Sequence, residues 1–341
     1  MAINGSSSNS GSWLRLHPAD ETVNASCATL SLDNRGLAYG DGFFTTMGVI
    51  DGELLWLDYH HQRLISHAKA LQIELDSHSV ITTLQHHAQR LQQGVLKLIV
   101  TRAAQAVRGY GYAPSTSGSA CEVWLKSSAM TLATDKQLRL ADGRFIPVQP
   151  TSVAICLSSQ IACLPPTLAG LKSLNRLDTV LASAELQRIK ADLSFDSRQP
   201  KSPHSKALPD IGEGLVRDMK GDWIEGTMSN MFYQLAEQPS SLRPPEPRSL
   251  EMISLSNLND NTLNYLTKGQ WYTPSMAQSG VAGVMRQVII DALSSTEYPI
   301  IIRSLQDDDL PKIKQLFFCN ALRGIMPMAN LTLLSGDIVD F

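Results

Sequence analysis

The sequence has few cysteines, and no two of them are spaced as Cys-x-x-Cys. The five that are present are Cys27, Cys121, Cys156, Cys163 and Cys319. An odd number at irregular spacing argues against a disulfide framework and against a zinc site, and it favours a reducing compartment. The histidine pairs at 60–61 and 86–87 have no neighbouring carboxylate or cysteine pattern, so we expect no metal site.

Charge and long apolar runs are also scarce. The formal net charge is -3, and no basic run accompanies aromatic residues, so nucleic-acid binding is disfavoured. No apolar run approaches the length of a membrane span, and residues 1–26 have neither the basic start nor the apolar stretch of a signal peptide. We therefore expect a cytoplasmic protein with no membrane contact, and a flexible N-terminal segment at 1–26.

The length and composition predict two globular domains. A chain of 341 residues is long for one average domain, and its 43% hydrophobic and 18% charged residues allow a sizeable core. A polar stretch at 129–148 is typical of a connection between a domain at 27–128 and another at 149–341. Stretches rich in proline and polar residues at 196–212 and 237–262 indicate insertions.

Strand and helix patterns alternate along the chain, which predicts a mixed α/β or α+β fold. Strands are predicted at residues 96–101, 122–126, 153–157, 299–302 and 316–320, with hairpin turns at 51–52 and 218–221. Asp58 can cap a helix. The apolar positions on one face of that helix are Leu64, Ala68 and Leu71. A second helix is predicted at 176–189, and its apolar positions at helical spacing are Leu177, Val180, Leu181 and Ala184. A third follows Gly280.

Lys172 is a candidate for covalent chemistry. A lysine reacts only when its amine is neutral, which requires burial or a nearby cation. Lys172 lies among leucines with Arg176 close by, where an extended segment should become a helix. The alternative is an ordinary lysine whose aliphatic stem packs on apolar residues while its amine stays in water.

Two further patterns suggest a site for an anionic ligand. Glu225 begins a polar stretch inside an otherwise apolar strand, and its alternative is an edge residue facing solvent. Residues 283–286 begin a helix, where free backbone N–H groups hold phosphate well, and Arg63 is a cation for the same anion. The alternatives are a simple turn glycine and a polar helix face.

Five segments, in this order, resemble the fold-type IV pyridoxal-phosphate (PLP) enzymes. They are residues 35–46, 61–64, 171–177, 225–230 and 280–286. That family contains branched-chain aminotransferases, D-amino-acid aminotransferases and aminodeoxychorismate lyases. The resemblance runs from about Arg35 to Met328, and it implies a small N-terminal α/β domain and a larger C-terminal barrel-like domain with PLP between them. It also implies a homodimer.

The resemblance assigns roles to individual residues. Lys172 forms the internal aldimine and acts as acid and base. Glu225 binds the pyridine nitrogen, because a protonated ring is the better electron sink. Arg63 binds the phosphate, and the remaining cofactor-binding candidates are the backbone amides of Val284 and Met285, with Ser229, Asn230 and Asn175. Asn175 is a candidate partner of the ring hydroxyl, since Phe44 stands where D-amino-acid aminotransferases have tyrosine.

Within the family, three features look like the aminodeoxychorismate lyases: Asn175-Arg176-Leu177 after the lysine, Met285 in place of threonine, and the stretch that begins at Cys319-Asn320. The substrate-binding candidates are Arg108, Tyr110, Asn320 and Thr46. Arg108 lies in a loop at 108–112 and is placed to hold a carboxylate, the alternative being a loop arginine that contacts only water.

The sequence therefore predicts conversion of 4-amino-4-deoxychorismate to 4-aminobenzoate and pyruvate, a step of folate biosynthesis. One alternative is a class IV aminotransferase for branched-chain or D-amino acids, which would use the same cofactor with a different pocket. A PLP-free scaffold that keeps the fold is a further alternative, since fold alone does not fix function.

Overall fold

The computed structural model describes residues 13–17, 29–113, 121–133, 135–196, 210–236, 266 and 268–341. The chain divides into two compact units, Met1–Leu132 with Leu171–Arg176, and Ala133–Gly170 with Leu177–Phe341. Leu171–Arg176, which carries Lys172, thus belongs to the first unit although the sequence placed it in the domain at 149–341. Most of the predicted insertions, at 197–209 and 237–265, lies outside the described residues, as does most of the segment at 1–26.

The first unit is built on one five-stranded sheet with the order β1-β5-β4-β2-β3. Its strands are β1 Trp13–His17, β2 Gly42–Ile50, β3 Glu53–Leu54, β4 Gly94–Arg102 and β5 Cys121–Ala129. Its helices are α1 Arg35–Tyr39, α2 Leu57–Ala70 and α3 Ser77–Leu91. All the strand pairs of this sheet are antiparallel. Strand β1 lies within the segment at 1–26 that was expected to be flexible.

Turn and cap residues explain the boundaries of these elements. Asp51 and Gly52 have positive φ angles of 52° and 77°, which is the geometry of the tight hairpin predicted there. The prediction that Asp58 caps α2 is wrong: the cap position is Trp56, with φ 60°, and Asp58 lies inside the first turn. A carboxylate in the first turn still interacts favourably with the positive end of the helix.

The apolar face predicted for α2 is confirmed. Leu64 and Ala68 are buried in the core between the helices and the sheet, and Leu71 packs against it. Because the helix repeats every 3.6 residues, this placement also turns His60, Arg63 and His67 inward, and all three are buried. These three side chains are polar and buried together, which makes them candidates for function.

The second unit contains a long mixed sheet and a small hairpin. Its strands are β6 Gln137–Arg139, β7 Phe145–Pro147, β8 Ser152–Ile161, β9 Ile211–Asp218, β10 Trp223–Gly226, β11 Asn230–Leu235, β12 Tyr272–Thr273, β13 Ile301–Ile302, β14 Ile313–Asn320, β15 Gly324–Thr332 and β16 Ile338–Asp340. The sheet runs β10-β9-β8-β15-β14-β11, and β10 also pairs with β11, so six strands close into a barrel. The barrel-like architecture expected for the C-terminal part is confirmed.

The helices of this unit are α4 Leu177–Asp196 and α5 Val284–Leu293, with a 3₁₀ helix at Asp307–Lys312. The residues of α4 that pack in the core are Ala182, Leu186, Ile189 and Leu193. Leu177, Val180 and Leu181 are instead 80%, 57% and 64% exposed. The helix has two apolar stripes, and the sequence pattern alone did not show which one the sheet covers. Among the described helices, none is long and apolar enough to cross a bilayer.

Candidate active site

Lys172 lies on a short extended segment that adds to one edge of β2. The backbone N–H of Phe44 donates to the carbonyl of Lys172 at 3.0 Å, and Leu174 donates to the carbonyl of Gly42 at 3.0 Å. Strand β3 pairs only with Val49 and Ile50, so this part of the edge is open to the segment. Glycine is required at Gly42, where a Cβ would lie 2.3 Å from a β4 carbonyl oxygen.

The side chain of Lys172 lies against the ring of Phe44. Its Nζ is 4.6 Å from the ring centroid, and the Nζ of Lys97 is 5.4 Å from the same centroid. Both distances are in the range of a cation–π interaction. Register places Lys97 opposite Thr46, which shares a strand face with Phe44. Sequence reasoning missed Lys97, although a lysine in the apolar run of β4 was a visible signal.

Arg63 is buried on α2, beside a pair of hydrogen-bonded neighbours. The hydroxyl of Thr45 is 2.8 Å from Nδ1 of His60 and accepts from Nη1 of Arg63 at 3.4 Å. Burial, together with the like charge of Arg176, lowers the pKa of Arg63 to about 10. Burial and the charges of Arg63 and Lys172 likewise hold the pKa of His60 well below its ordinary value. The first unit therefore gathers cations beside a neutral histidine.

The predicted substrate loop is tied to the body of the first unit through its backbone. Arg35 donates to the carbonyl oxygens of Gly111 at 3.1 Å and Tyr110 at 3.2 Å, and its Nε donates to Asp41 at 2.8 Å. The side chains of Tyr110 and Arg108 are exposed. Their predicted contacts with a substrate stay predictions. The sequence indicated the loop but not its anchor, Arg35.

Asn175 is the other predicted cofactor residue of this unit. A Cβ on Gly40, which has φ 67°, would lie 2.3 Å from its Oδ1, so glycine is needed both for the turn and for this close approach. The segment that carries Lys172 is thus fitted closely to the two glycines that flank Asp41.

Glu225, in the second unit, is a buried carboxylate with fixed orientation. It is 5% exposed, and its Oε2 accepts from Nδ2 of Asn230 at 3.2 Å and from the backbone N–H of Val281 at 2.9 Å. Asn230 also donates to the carbonyl of Val281 at 2.8 Å. A charged group can remain buried when it is hydrogen-bonded in this way.

A second buried carboxylate, Glu213 on β9, organises the turn that follows Glu225. It accepts from the hydroxyls of Thr227 and Ser229, both at 2.6 Å, and from the N–H groups of Thr227 and Gly214, both at 3.0 Å. Sequence reasoning missed Glu213. The hydroxyl of Ser229, a predicted cofactor contact, is directed to this carboxylate.

Helix α5 begins as the sequence predicted. Gly283 is its N-cap and provides no side-chain cap, and a Cβ there would lie 2.0 Å from Oδ1 of Asn230. The next residues, Val284 and Met285, are buried, and N–H groups at a helix start have no partner within the helix. Asn320, a predicted substrate residue, uses its side-chain oxygen to accept from the N–H groups of the following turn.

Comparison with known proteins decides the family. Residues 42–197 and 204–331 match the family model "Amino-transferase class IV". This chain belongs to the class IV aminotransferases. Enzymes of this family depend on PLP, and the family contains both aminodeoxychorismate lyases and branched-chain aminotransferases.

Individual members of the family resemble this class IV chain over most of its length. It is 22% identical to the aminodeoxychorismate lyase of Vibrio harveyi, over 88% of this chain and 87% of that protein. The crystal structure of 4-amino-4-deoxychorismate lyase from Pseudomonas aeruginosa is similar with a TM-score of 0.62 and 29% identity, over 89% and 88% of the two chains. The branched-chain amino acid aminotransferase of Escherichia coli shares the fold, with a TM-score of 0.58, 16% identity and coverage of 89% and 82%.

Each unit by itself carries groups of the kinds that PLP requires. In the first, Arg63 is a buried guanidinium, which suits a phosphate, and Lys172 has an amine of the kind that an aldehyde cofactor binds. In the second, the start of α5 has no side-chain cap, which suits a phosphate, and Glu225 is a fixed carboxylate of the kind that holds a protonated pyridine nitrogen.

Proposed function

We propose that this enzyme is an aminodeoxychorismate lyase, which converts 4-amino-4-deoxychorismate to 4-aminobenzoate and pyruvate. The observation that carries the PLP chemistry is the placement of Lys172, held by β2 through its backbone with its amine against Phe44. The likeness to two lyases over nearly the whole chain supports the choice of reaction.

PLP, when bound, supplies an electron sink for the charge that develops at the carbon bearing the substrate nitrogen. Lys172 would hold the cofactor through its amine, and the same amine would take the proton from the carbon that bears the substrate nitrogen. Glu225 would keep the pyridine nitrogen protonated, and the donors to the phosphate would be Arg63 and the N–H groups of Val284 and Met285.

The bond that breaks joins the substrate ring to the oxygen of the enolpyruvyl group, which leaves as enolpyruvate and takes up a proton to become pyruvate. The ring becomes aromatic at the same time, so the reaction is strongly downhill and needs no second substrate. We propose Arg108 as the group that holds a substrate carboxylate, with Tyr110, Thr46 and Asn320 around it. Asn175 is the proposed partner of the cofactor's ring hydroxyl.

The decisive experiment is to supply 4-amino-4-deoxychorismate to the purified protein with PLP and to measure 4-aminobenzoate. Lys172→Ala should lose the visible absorbance of the bound cofactor and reduce turnover on the order of 10²–10⁴-fold or more, since it removes the amine that moves the proton. Lys69→Ala, at an exposed lysine on α2, is the matched control and should leave both unchanged. Normal turnover by Lys172→Ala would refute the assignment.

An aminotransferase is the second candidate, favoured by the shared fold with a branched-chain aminotransferase and by 23% identity to a putative one from Methanocaldococcus jannaschii. It would use Lys172 and Glu225 in the same way but return the proton to the cofactor. Amino transfer from branched-chain or D-amino acids to 2-oxoglutarate, without formation of 4-aminobenzoate, would establish it.

We also propose a homodimer. Leu177, Val180 and Leu181 form an exposed apolar stripe on α4, and such stripes mark surfaces that bind other proteins. Sedimentation should give twice the mass of one chain, and Leu181→Glu should weaken the association. A cytoplasmic location and a role in folate biosynthesis stay predictions.

A further inference from the structure

We propose that His67 is a positioning residue for Lys172, holding the lysine's backbone N–H and so fixing the direction of its side chain. This proposal rests on the proposed function, because the orientation of Lys172 affects turnover only if that lysine carries the chemistry. Nothing in the sequence pattern singled out His67, which lies on α2 one turn after Arg63.

The hydrogen bonds of His67 define its tautomer. The backbone N–H of Lys172 donates to Nε2 of His67 at 2.9 Å, so Nε2 carries no proton. The other ring nitrogen, Nδ1, is 3.2 Å from the hydroxyl of Ser66, and that hydroxyl donates to the carbonyl of Arg63 at 3.2 Å. Nδ1 must therefore donate to Ser66. The result is a directed chain from the lysine backbone through the imidazole to the backbone of α2.

Lys172 meets β2 through its carbonyl, whereas its N–H donates to His67. In a regular antiparallel pair both groups of one residue face the same neighbouring strand, so His67 takes the N–H of Lys172 at a point where the segment departs from the ladder. A buried backbone N–H without an acceptor is costly. The ring of His67 supplies the acceptor and is itself only 5% exposed. Lys172 is thus held through its carbonyl by Phe44 and through its N–H by His67.

The electrostatic surroundings keep this arrangement intact. Burial, and then the charges of Arg63, Arg176 and Lys172, lower the pKa of His67 to about 3. A protonated ring would direct an N–H at the N–H of Lys172 and break the bond. The imidazole therefore stays an acceptor throughout the pH range in which enzymes work. The edge of its ring also packs on Phe43, with centroids 5.4 Å apart.

The test compares two substitutions in the holoenzyme. His67→Leu keeps the bulk but removes the acceptor, whereas His67→Gln keeps an acceptor oxygen at a similar reach. We expect the Lys172 amide of the leucine variant to exchange hydrogen about tenfold faster, the ratio that an ordinary hydrogen bond supplies. We expect its kcat to fall roughly tenfold to a hundredfold with little change in KM, as for a misplaced catalytic group. The glutamine variant should recover most of both effects, and His78→Leu, at an exposed histidine on α3, should match the wild type.

The outcomes separate this proposal from the proposed function. Equal losses in the leucine and glutamine variants, or wild-type amide exchange in His67→Leu, would overturn the positioning role. If the wild type makes no 4-aminobenzoate, the lyase assignment fails. The role of His67 can still be tested by amide exchange and by the rate at which Lys172 binds PLP, which is measured by borohydride reduction and mass spectrometry. Should the leucine variant not fold, ¹⁵N NMR of wild-type histidine decides. A neutral ring with the proton on Nδ1 is expected. A proton on Nε2, or titration near neutral pH, would refute the positioning role of His67.

Discussion

The two units bury charge in opposite ways. In the first, burial and the charge of Arg176 lower the pKa of Arg63, and burial and the charges of Arg63, Arg176 and Lys172 lower that of His67, which is neutral. In the second, Glu213 accepts from the hydroxyls of Thr227 and Ser229, and Glu225 accepts from Asn230 and from the backbone N–H of Val281. A cluster of cations is stabilised by an anionic ligand, whereas a carboxylate saturated with donors is stable without one. We propose that the cations of the first unit bind an anion, and we call them the binding cluster. Glu213 with its donors, in the turn that follows Glu225, is the supporting cluster.

The largest effect should come from breaking the supporting cluster. Glu213→Gln keeps the shape but presents an amide to groups that all donate, so buried donors lose their acceptor. We expect a loss of about 3 kcal/mol in the free energy of unfolding, within the range for a buried charged network that loses one member. Urea denaturation measures it. Glu53→Gln, at an exposed glutamate on β3, is the control, and an equal loss in both variants would contradict a special role for Glu213.

Removing a cation from the binding cluster should instead affect the ligand. Arg63→Gln should weaken PLP binding by about 10- to 100-fold, since a hydrogen bond to a charged group contributes roughly 1.5–3 kcal/mol. Without PLP, the variant should lose at most about 1 kcal/mol of stability relative to the wild type, because a like-charge repulsion is relieved. Fluorescence titration with PLP and urea denaturation of the apoprotein test the two halves. Strong destabilisation without any change in PLP affinity would mean that Arg63 supports the fold and does not bind the ligand.

The buried histidines of the first unit should make the stability of the protein depend on pH. The pKa of His67 is lowered to about 3, so the unfolded chain binds a proton there that the folded chain does not. The stabilisation is present above pH about 6.5 and is lost progressively as the pH falls toward 3, with a slope of about 1.4 kcal/mol per pH unit for each such group. His60, whose pKa is also lowered, adds to this slope. Unfolding free energies measured against pH should become less steep in His67→Gln; an unchanged slope would exclude His67 as a source.

The sequence indicated candidates for ligand binding but not the residues that support them. Lys172, Arg63 and Glu225 became candidates because they stand in segments that resemble a family, not because their burial could be computed from spacing. His67 could not be found in this way, since its role depends on the packing of a segment more than a hundred residues away in the chain. Glu213 was missed for a similar reason: its partners follow it by 14 and 16 residues, across a strand and a turn.

The fold, too, was predicted correctly where local patterns decide it and wrongly where tertiary packing does. Strands β4, β5, β8 and β14 and the α2 core face followed from local periodicity, because a helix or strand must bury one face. The error at α4 arose where periodicity allowed two apolar stripes, and only tertiary packing chose Ala182 and Leu186 over Leu177 and Leu181. Trp56 replaced Asp58 as the cap of α2 because the preceding hairpin brings the chain in with a left-handed residue.

The smallest effect is a matched substitution in both clusters. Thr45→Val and Thr227→Val each replace a buried hydroxyl by a methyl group of similar size. Thr45 bonds to the neutral His60 at 2.8 Å and accepts from Arg63 only at 3.4 Å, whereas Thr227 donates to the carboxylate of Glu213 at 2.6 Å. A bond to a charged acceptor is about twice as strong as a neutral one, so we expect roughly 1 kcal/mol from Thr45→Val and about 1 kcal/mol more from Thr227→Val. Urea denaturation at one pH compares them directly. If Thr45→Val proved the more costly, the cation cluster would depend on its own hydrogen bonds for stability, and its interpretation as a site organised for an anion would lose its basis.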